Sequence, residues 1–160
     1  MAPMHFRALI AVAIISGLGS MFTPYPGQAA EHPIFRASFE VLDNPVLRPI
    51  DDYLQNTLEF LKTTSSIAST DLNYDGIPEY IVRSCSHSKM CRFHVLALTA
   101  TKTDPVRSLG HMSGHNLQIS DVSDYGVRRL MVQDKELNDF AVTYYSWDAK
   151  QSHYTQHEAP

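Results

Sequence analysis

Asp71, Asn73, Asp75 and Glu79 place four oxygen-bearing side chains within nine residues, and Gly76 stands where such a stretch has to turn. Hard cations such as Ca²⁺ take about six to eight oxygen ligands, and an alternating acidic loop with a glycine hinge supplies that chemistry. The same residues support a metal-free turn. Asp and Asn side chains accept hydrogen bonds from backbone two residues on, and glycine adopts a positive φ at no steric cost. Both readings need a loop that leads directly into a regular element.

Tyr80, Ile81 and Val82 follow the loop and favour a strand. That separates it from an EF-hand, which has a bidentate Glu at its twelfth position and leads into a helix. Here the twelfth residue is Val82, and the acid comes at the ninth, Glu79. The pattern D-x-N-x-D-G-x-P-E before an apolar strand resembles the calcium-loop signature of FG-GAP/VCBS-type repeats. The likeness covers roughly residues 70–83. A weaker one reaches about residue 147 and is similar to small exported bacterial proteins with one such loop and a downstream cysteine pair. The resemblance implies Ca²⁺ as the cofactor. It also implies ligands from the side chains of Asp71, Asn73, Asp75 and Glu79 and from the Ile77 carbonyl. Three carboxylates imply weak affinity, on the order of 10⁻⁴–10⁻³ M. Tyr74 stands where the family usually has glycine, a place that often needs left-handed backbone, which is costly for tyrosine. The sequence shows no internal repeat, and one blade motif cannot close a propeller.

Cys85 and Cys91 are the two cysteines of the chain. In an exported protein such a pair is expected to form a disulfide, closing a hairpin between candidate strands 80–83 and 93–99. A Zn²⁺ or redox site with His87 or His94 is the alternative, but the spacing is not C-x-x-C and supplies only two thiolates. His111 and His115 have the spacing of helical zinc ligands, yet Gly110 and Gly114 mark the segment as a loop. No G-x-S-x-G elbow is present. Asp121 and Asp124 flank Ser123 and read as solvated turn residues rather than a glycosidase pair. Tyr144, Tyr145 and Trp147 put one aromatic face on the core, and the other could hold a sugar or peptide.

These residues are positioned by an expected α+β domain. Pro49, Asp51 and Asp52 open an amphipathic helix over 50–62, with Ile50, Tyr53, Leu54, Leu58 and Leu61 on one stripe. Phe35 and Phe39, with Val41 and Leu42, suggest a short element before it. Candidate strands at 67–70, 80–83, 93–99, 117–122, 127–133 and 140–147, with a further one near 153–155, argue an antiparallel β-meander carrying that N-terminal helix. The domain is expected to span 31–150, with 151–160 a frayed C-terminal tail.

Residues 1–30 have the form of a signal peptide: Arg7, an apolar run over 8–18, then Pro24, Pro26 and a small-residue cleavage site near Ala29. The apolar run is shorter than the roughly 20 residues a spanning helix needs, so no stable membrane insertion is expected after cleavage. Of 13 Lys and Arg only Arg7 lies in 1–30, with no acid, so the remainder carries 12 cations against 17 acids, a net −5. That balance argues against nucleic acid as a partner. The expectation is a periplasmic or secreted, non-enzymatic binding or structural module with a protein or glycan partner. One alternative is a periplasmic inhibitor or immunity protein of a cell-wall hydrolase. Another is a metal-dependent hydrolase using Asp71, Asp75 and His87 or His94.

Overall fold

Apolar residues alternate along part of the strands and run continuously at Tyr80, Ile81 and Val82, which calls for a layer on each face. The computed structural model describes residues 30–37, 44–57, 65–86, 90–136 and 139–157. A five-stranded sheet runs in the order β1 (Arg36–Ala37), β2 (Ser65–Thr70), β3 (Glu79–Cys85), β4 (Cys91–Leu98), β5 (Val106–Gly114). A four-stranded sheet follows in the order β6 (Asn116–Asp124), β7 (Val127–Glu136), β8 (Asp139–Asp148), β9 (His153–His157). Every pairing is antiparallel. Among the described residues one short helix, α1 (Arg48–Thr57), follows a 3₁₀ turn (Pro45–Leu47) that Asn44 caps, its Oδ1 accepting from Val46 N at 3.1 Å.

The expected single meander is therefore two, and the burial pattern shows why they stack. Ala68, Ile81, Phe93, Val95 and Met112 of the first sheet share a buried cluster with Leu117, Ile119, Leu130, Val132 and Tyr154 of the second. The opposite face of the first sheet, with Ile67, Tyr80, Val82, Leu96 and Val106, packs with Leu47, Ile50 and Leu54. Glu79, Tyr80, Ile81 and Val82 of β3 are all buried, because this strand has a layer on each side.

β5 corrects the loop expected around His111 and His115. Gly110 and Gly114 read as punctuation, but here they serve close packing within a strand. A Cβ on Gly114 would collide with Val132 Cγ1 and lie 2.9 Å from the Gln133 carbonyl oxygen. His115 alone joins β5 to β6, its N–H donating to that carbonyl at 2.8 Å, and this crossing carries the chain from one sheet to the other. His111 is paired across the ladder with His94, their rings 6.2 Å apart.

The helix expected over 50–62 begins earlier, at Arg48, and is seen through Thr57; residues 58–62 lie outside the described part. Phe39, Val41, Leu42 and all of the expected signal segment except Ala30 lie outside it too. Phe35 does pack on the core: its ring centroid is 6.3 Å from that of Phe93, and the Arg83 guanidinium sits 4.1 Å over it. Within the tail expected to fray over 151–160, of which 158–160 lie outside the described residues, β9 forms at His153–His157, matching the further strand expected near 153–155. It is anchored by Tyr154, which is 4% exposed. Its hydroxyl donates to the Arg128 carbonyl at 2.9 Å, so one buried aromatic outweighs the polar composition around it.

The expected disulfide is present. Cys85 and Cys91 face each other in register at the end of the β3–β4 hairpin, S–S 2.01 Å. Both thiols being bonded, no thiolate remains for a Zn²⁺ or C-x-x-C-type site. Replacing both with serine is expected to lower unfolding free energy by about 2 kcal/mol, the loop-closure value for so short a ring. Urea unfolding of the double variant against the oxidised parent checks this.

Candidate functional site

The loop between β2 and β3 is built from its own side chains. Asp71 Oδ2 accepts from Gly76 N at 2.9 Å, Asn73 Oδ1 from Asp75 N at 3.0 Å, and Asp75 Oδ1 from Ile77 N at 2.7 Å. Asn73 Nδ2 donates to Asp75 Oδ2 at 2.9 Å. Glu79, at the first position of β3, reaches back so that its Oε2 accepts from Leu72 N at 2.8 Å. Gly76 has φ +81°, and Tyr74 has φ +59°, the left-handed conformation that makes tyrosine an odd occupant.

That tyrosine is not idle. Its ring, 64% exposed, lies 5.9 Å from the Arg128 guanidinium. Arg128 is the bolt between this loop and the second sheet: its N–H donates to the Leu72 carbonyl at 2.8 Å, its Nε to the Ser120 carbonyl at 3.0 Å, and its Nη1 to Glu31 Oε2 at 2.8 Å. Glu31 also bridges to Ile119 through two backbone hydrogen bonds. The loop, the segment from Ala30 and both sheets are thus tied at one residue. Nothing in the local sequence marks Arg128 for that role, because Leu72, Tyr74, Glu31 and Tyr154 all lie far from it along the chain and the Leu72 and Ser120 acceptors are backbone carbonyls.

Electrostatically the loop is under load. Glu79 is 6% exposed, and burial raises its pKa above the ordinary 4.5; the Leu72 hydrogen bond opposes this, while the charges of Asp75 and Asp71 reinforce it. Burial and the Glu79 charge push the Tyr154 phenol up as well. Asp71 Oδ1 is buried and makes no hydrogen bond. Isolated buried acceptors of this kind are uncommon and call for a partner. As the side chains stand, no group of three or more His, Cys, Asp or Glu among the described residues is arranged to hold a metal ion. The sequence-expected ligands are thus gathered in one loop, with most of their oxygens turned onto loop N–H groups and Asp71 Oδ1 left over.

Comparison with protein-family models, curated proteins and solved structures finds no match.

The other sequence candidates separate. His94, half-buried, has its pKa lowered by desolvation and by His111 and Arg92. His87 lies outside the described residues. Asp124 pairs in fork geometry with Arg129, Oδ2 at 2.6 Å from Nε and Oδ1 at 2.8 Å from Nη2, and Asp121 is exposed. Among the described residues no helix is long and apolar enough to cross a membrane.

The Asp124 pair yields a pH prediction. Hydrogen bonding from Arg129 holds the Asp124 carboxyl below the ordinary 3.8. A depressed acid adds stability above its unfolded pKa and loses it as pH falls through the folded one. Asp124→Asn is therefore expected to be less stable than the parent near neutrality, by about 1 kcal/mol at most for a part-exposed pair. The gap should close below pH ~3.8. Urea midpoints across that range test it.

Proposed function

We propose that this chain is an exported, non-enzymatic binding module whose β2–β3 loop is a Ca²⁺ site that rigidifies it. The observation that carries the metal is Asp71 Oδ1, a buried carboxylate oxygen without a partner in a loop where Asp71 Oδ2, Asn73 Oδ1, both Asp75 oxygens and Glu79 Oε2 accept hydrogen bonds. The donor chemistry fits a hard cation. Asp71, Asn73, Asp75 and Glu79 would supply side-chain oxygens and Ile77 its carbonyl, and the buried negative charge that raises the Glu79 pKa would be offset by the ion. Ca²⁺ performs no chemistry here beyond coordination. Its effect would pass through Leu72 and Arg128 to the second sheet and stiffen the joint between the layers.

Export is supported by the pattern of residues 1–30 and by the disulfide, which fits an oxidising compartment. Periplasmic or secreted residence places the chain where millimolar Ca²⁺ occupies even weak sites.

Calorimetric titration of chelator-treated protein with Ca²⁺, and with Mg²⁺ as the control, tests the reading. The expected dissociation constant is on the order of 10⁻⁴–10⁻³ M, with a rise in melting temperature. Absence of both heat and thermal shift at millimolar Ca²⁺ would end it.

A further inference from the structure

At the far end of the second sheet a cleft of about 380 Å³ opens between the β6–β7 turn and the β8–β9 hairpin. Asp124, Tyr125, Ser146, Trp147, Thr155 and His157 are among the residues that line it. Its size falls at the small end of ligand pockets, roughly 300–1,000 Å³. Three features single it out.

Ser146 is 8% exposed, and its Oγ is buried without a hydrogen-bond partner. The hydroxyl is turned toward Asp124 and helps to lower that carboxyl's pKa as a hydrogen-bond donor, but the contact falls short of full hydrogen-bond geometry, so Oγ keeps capacity for a better-placed partner. Thr155 lies directly opposite Ser146 across the β8–β9 ladder and brings a second hydroxyl to the same wall. A buried polar group left open in this way is a recognition group waiting for its complement.

Tyr125 occupies the first position of a two-residue turn with φ +53°, followed by Gly126 at +81°. Such turns favour Asn, Asp or Gly there, since both residues need positive φ. Tyr125 is 84% exposed as a residue, so burial does not repay the backbone strain. An aromatic surface held rigidly at the mouth of a cleft is a stacking platform.

The charges near the cleft are balanced. Asp124 is neutralised by Arg129, and Asp148 and Lys150, of opposite charge, both line the cleft; the Asp148 carboxylate itself accepts from the Lys150 backbone N–H at 2.8 Å. A balanced, hydroxyl-lined site beside an aromatic plate suits an uncharged polyhydroxyl ligand better than an ion. A larger cleft of about 460 Å³ beside Tyr53 and Pro105 has none of the buried unpartnered atoms found among the described residues.

We propose that this cleft binds an uncharged carbohydrate, with the Tyr125 ring stacking on a sugar face and Ser146, Thr155 and Asp124 hydrogen-bonding its hydroxyls. The proposal rests on the reading of the chain as a binding module and names its partner class. The test is a nuclear magnetic resonance titration of the ¹⁵N-labelled protein with glucose, cellobiose, maltose, N-acetylglucosamine and its β-1,4 dimer, with glucuronic acid as the charged contrast. At least one neutral sugar should move the amides of 124–126, 146–149 and 155–157 more than glucuronic acid does. Tyr125→Ala and Ser146→Ala should each weaken that binding by roughly 3–10-fold, the worth of one aromatic contact or one hydrogen bond. Tyr125→Ala removes an exposed ring, and a melting curve confirms its fold. If none of the neutral sugars moves those amides, or if both variants bind like the parent, the site is overturned and its hydroxyls are served by water. A Ca²⁺ response at 71–79 without a sugar response removes this site and leaves the calcium reading standing. Sugar cleavage during the titration would support the site and overturn the non-enzymatic reading.

Discussion

Phe93→Ala is expected to lower the unfolding free energy by about 3–5 kcal/mol, the range for truncating a buried phenylalanine. Phe93 has no solvent exposure and sits in the cluster shared by both sheets. Its ring also carries Phe35, over which Arg83 is laid. Removing it opens a cavity that ladders of backbone hydrogen bonds on either side keep from collapsing. Most small domains have only about 5–15 kcal/mol in total, so this variant should be unfolded or nearly so at physiological temperature. Urea unfolding followed by tryptophan fluorescence is well placed to measure it, because Trp147 packs against the same cluster. A cost below about 1 kcal/mol would mean that the two sheets do not share a packed interior.

The strands β2, β3, β4 and β6 to β8 were legible because runs of β-branched and aromatic residues between turn signals are a local signal. The stacking of two sheets was not. It depends on Gly114, whose missing side chain leaves room for Val132 and the Gln133 carbonyl, and a glycine in sequence reads first as a turn. β5 was lost for the same reason. The anchoring of β9 turns on Tyr154, whose value lies in a carbonyl on β7 that sequence distance hides. The acidic loop was legible in position, in its self-capping hydrogen bonds and in the awkwardness of Tyr74, which does take left-handed backbone. What the sequence could not convey is that Glu79 is buried and that Arg128 fastens the loop to the second sheet. The cleft beside Tyr125 and Ser146 was half legible. The aromatic alternation of β8 does turn Tyr145 and Trp147 toward the core, whereas the setting of the Ser146 hydroxyl emerges only once β9 and the β6–β7 turn are in place.

Glu79 is where folding and the proposed metal compete, and two substitutions there should part in a diagnostic way. Glu79→Ala leaves the buried Leu72 N–H without its acceptor, at a cost of about 1–3 kcal/mol. Glu79→Gln keeps a carbonyl oxygen in reach of that N–H and removes a desolvated charge. The sign follows from the raised pKa. The folded chain holds the Glu79 proton to higher pH than the unfolded chain does, so this group's contribution is complete below pH 4.5 and is lost as pH rises through the folded value. Without Ca²⁺, Glu79→Gln should therefore match or exceed the parent at neutral pH, with a flatter decline above pH 4.5. With Ca²⁺ the order should invert. At about 10 mM Ca²⁺, roughly 10–100 times the expected dissociation constant, binding stabilises a fold by about 1.4–2.7 kcal/mol, and the parent should gain on that scale while neither variant does. Urea midpoints with Ca²⁺ and with chelator, from pH 4.5 to neutrality, separate the outcomes. A Glu79→Gln variant that keeps the parent's full Ca²⁺ gain would show that the buried carboxylate is only a cap for Leu72.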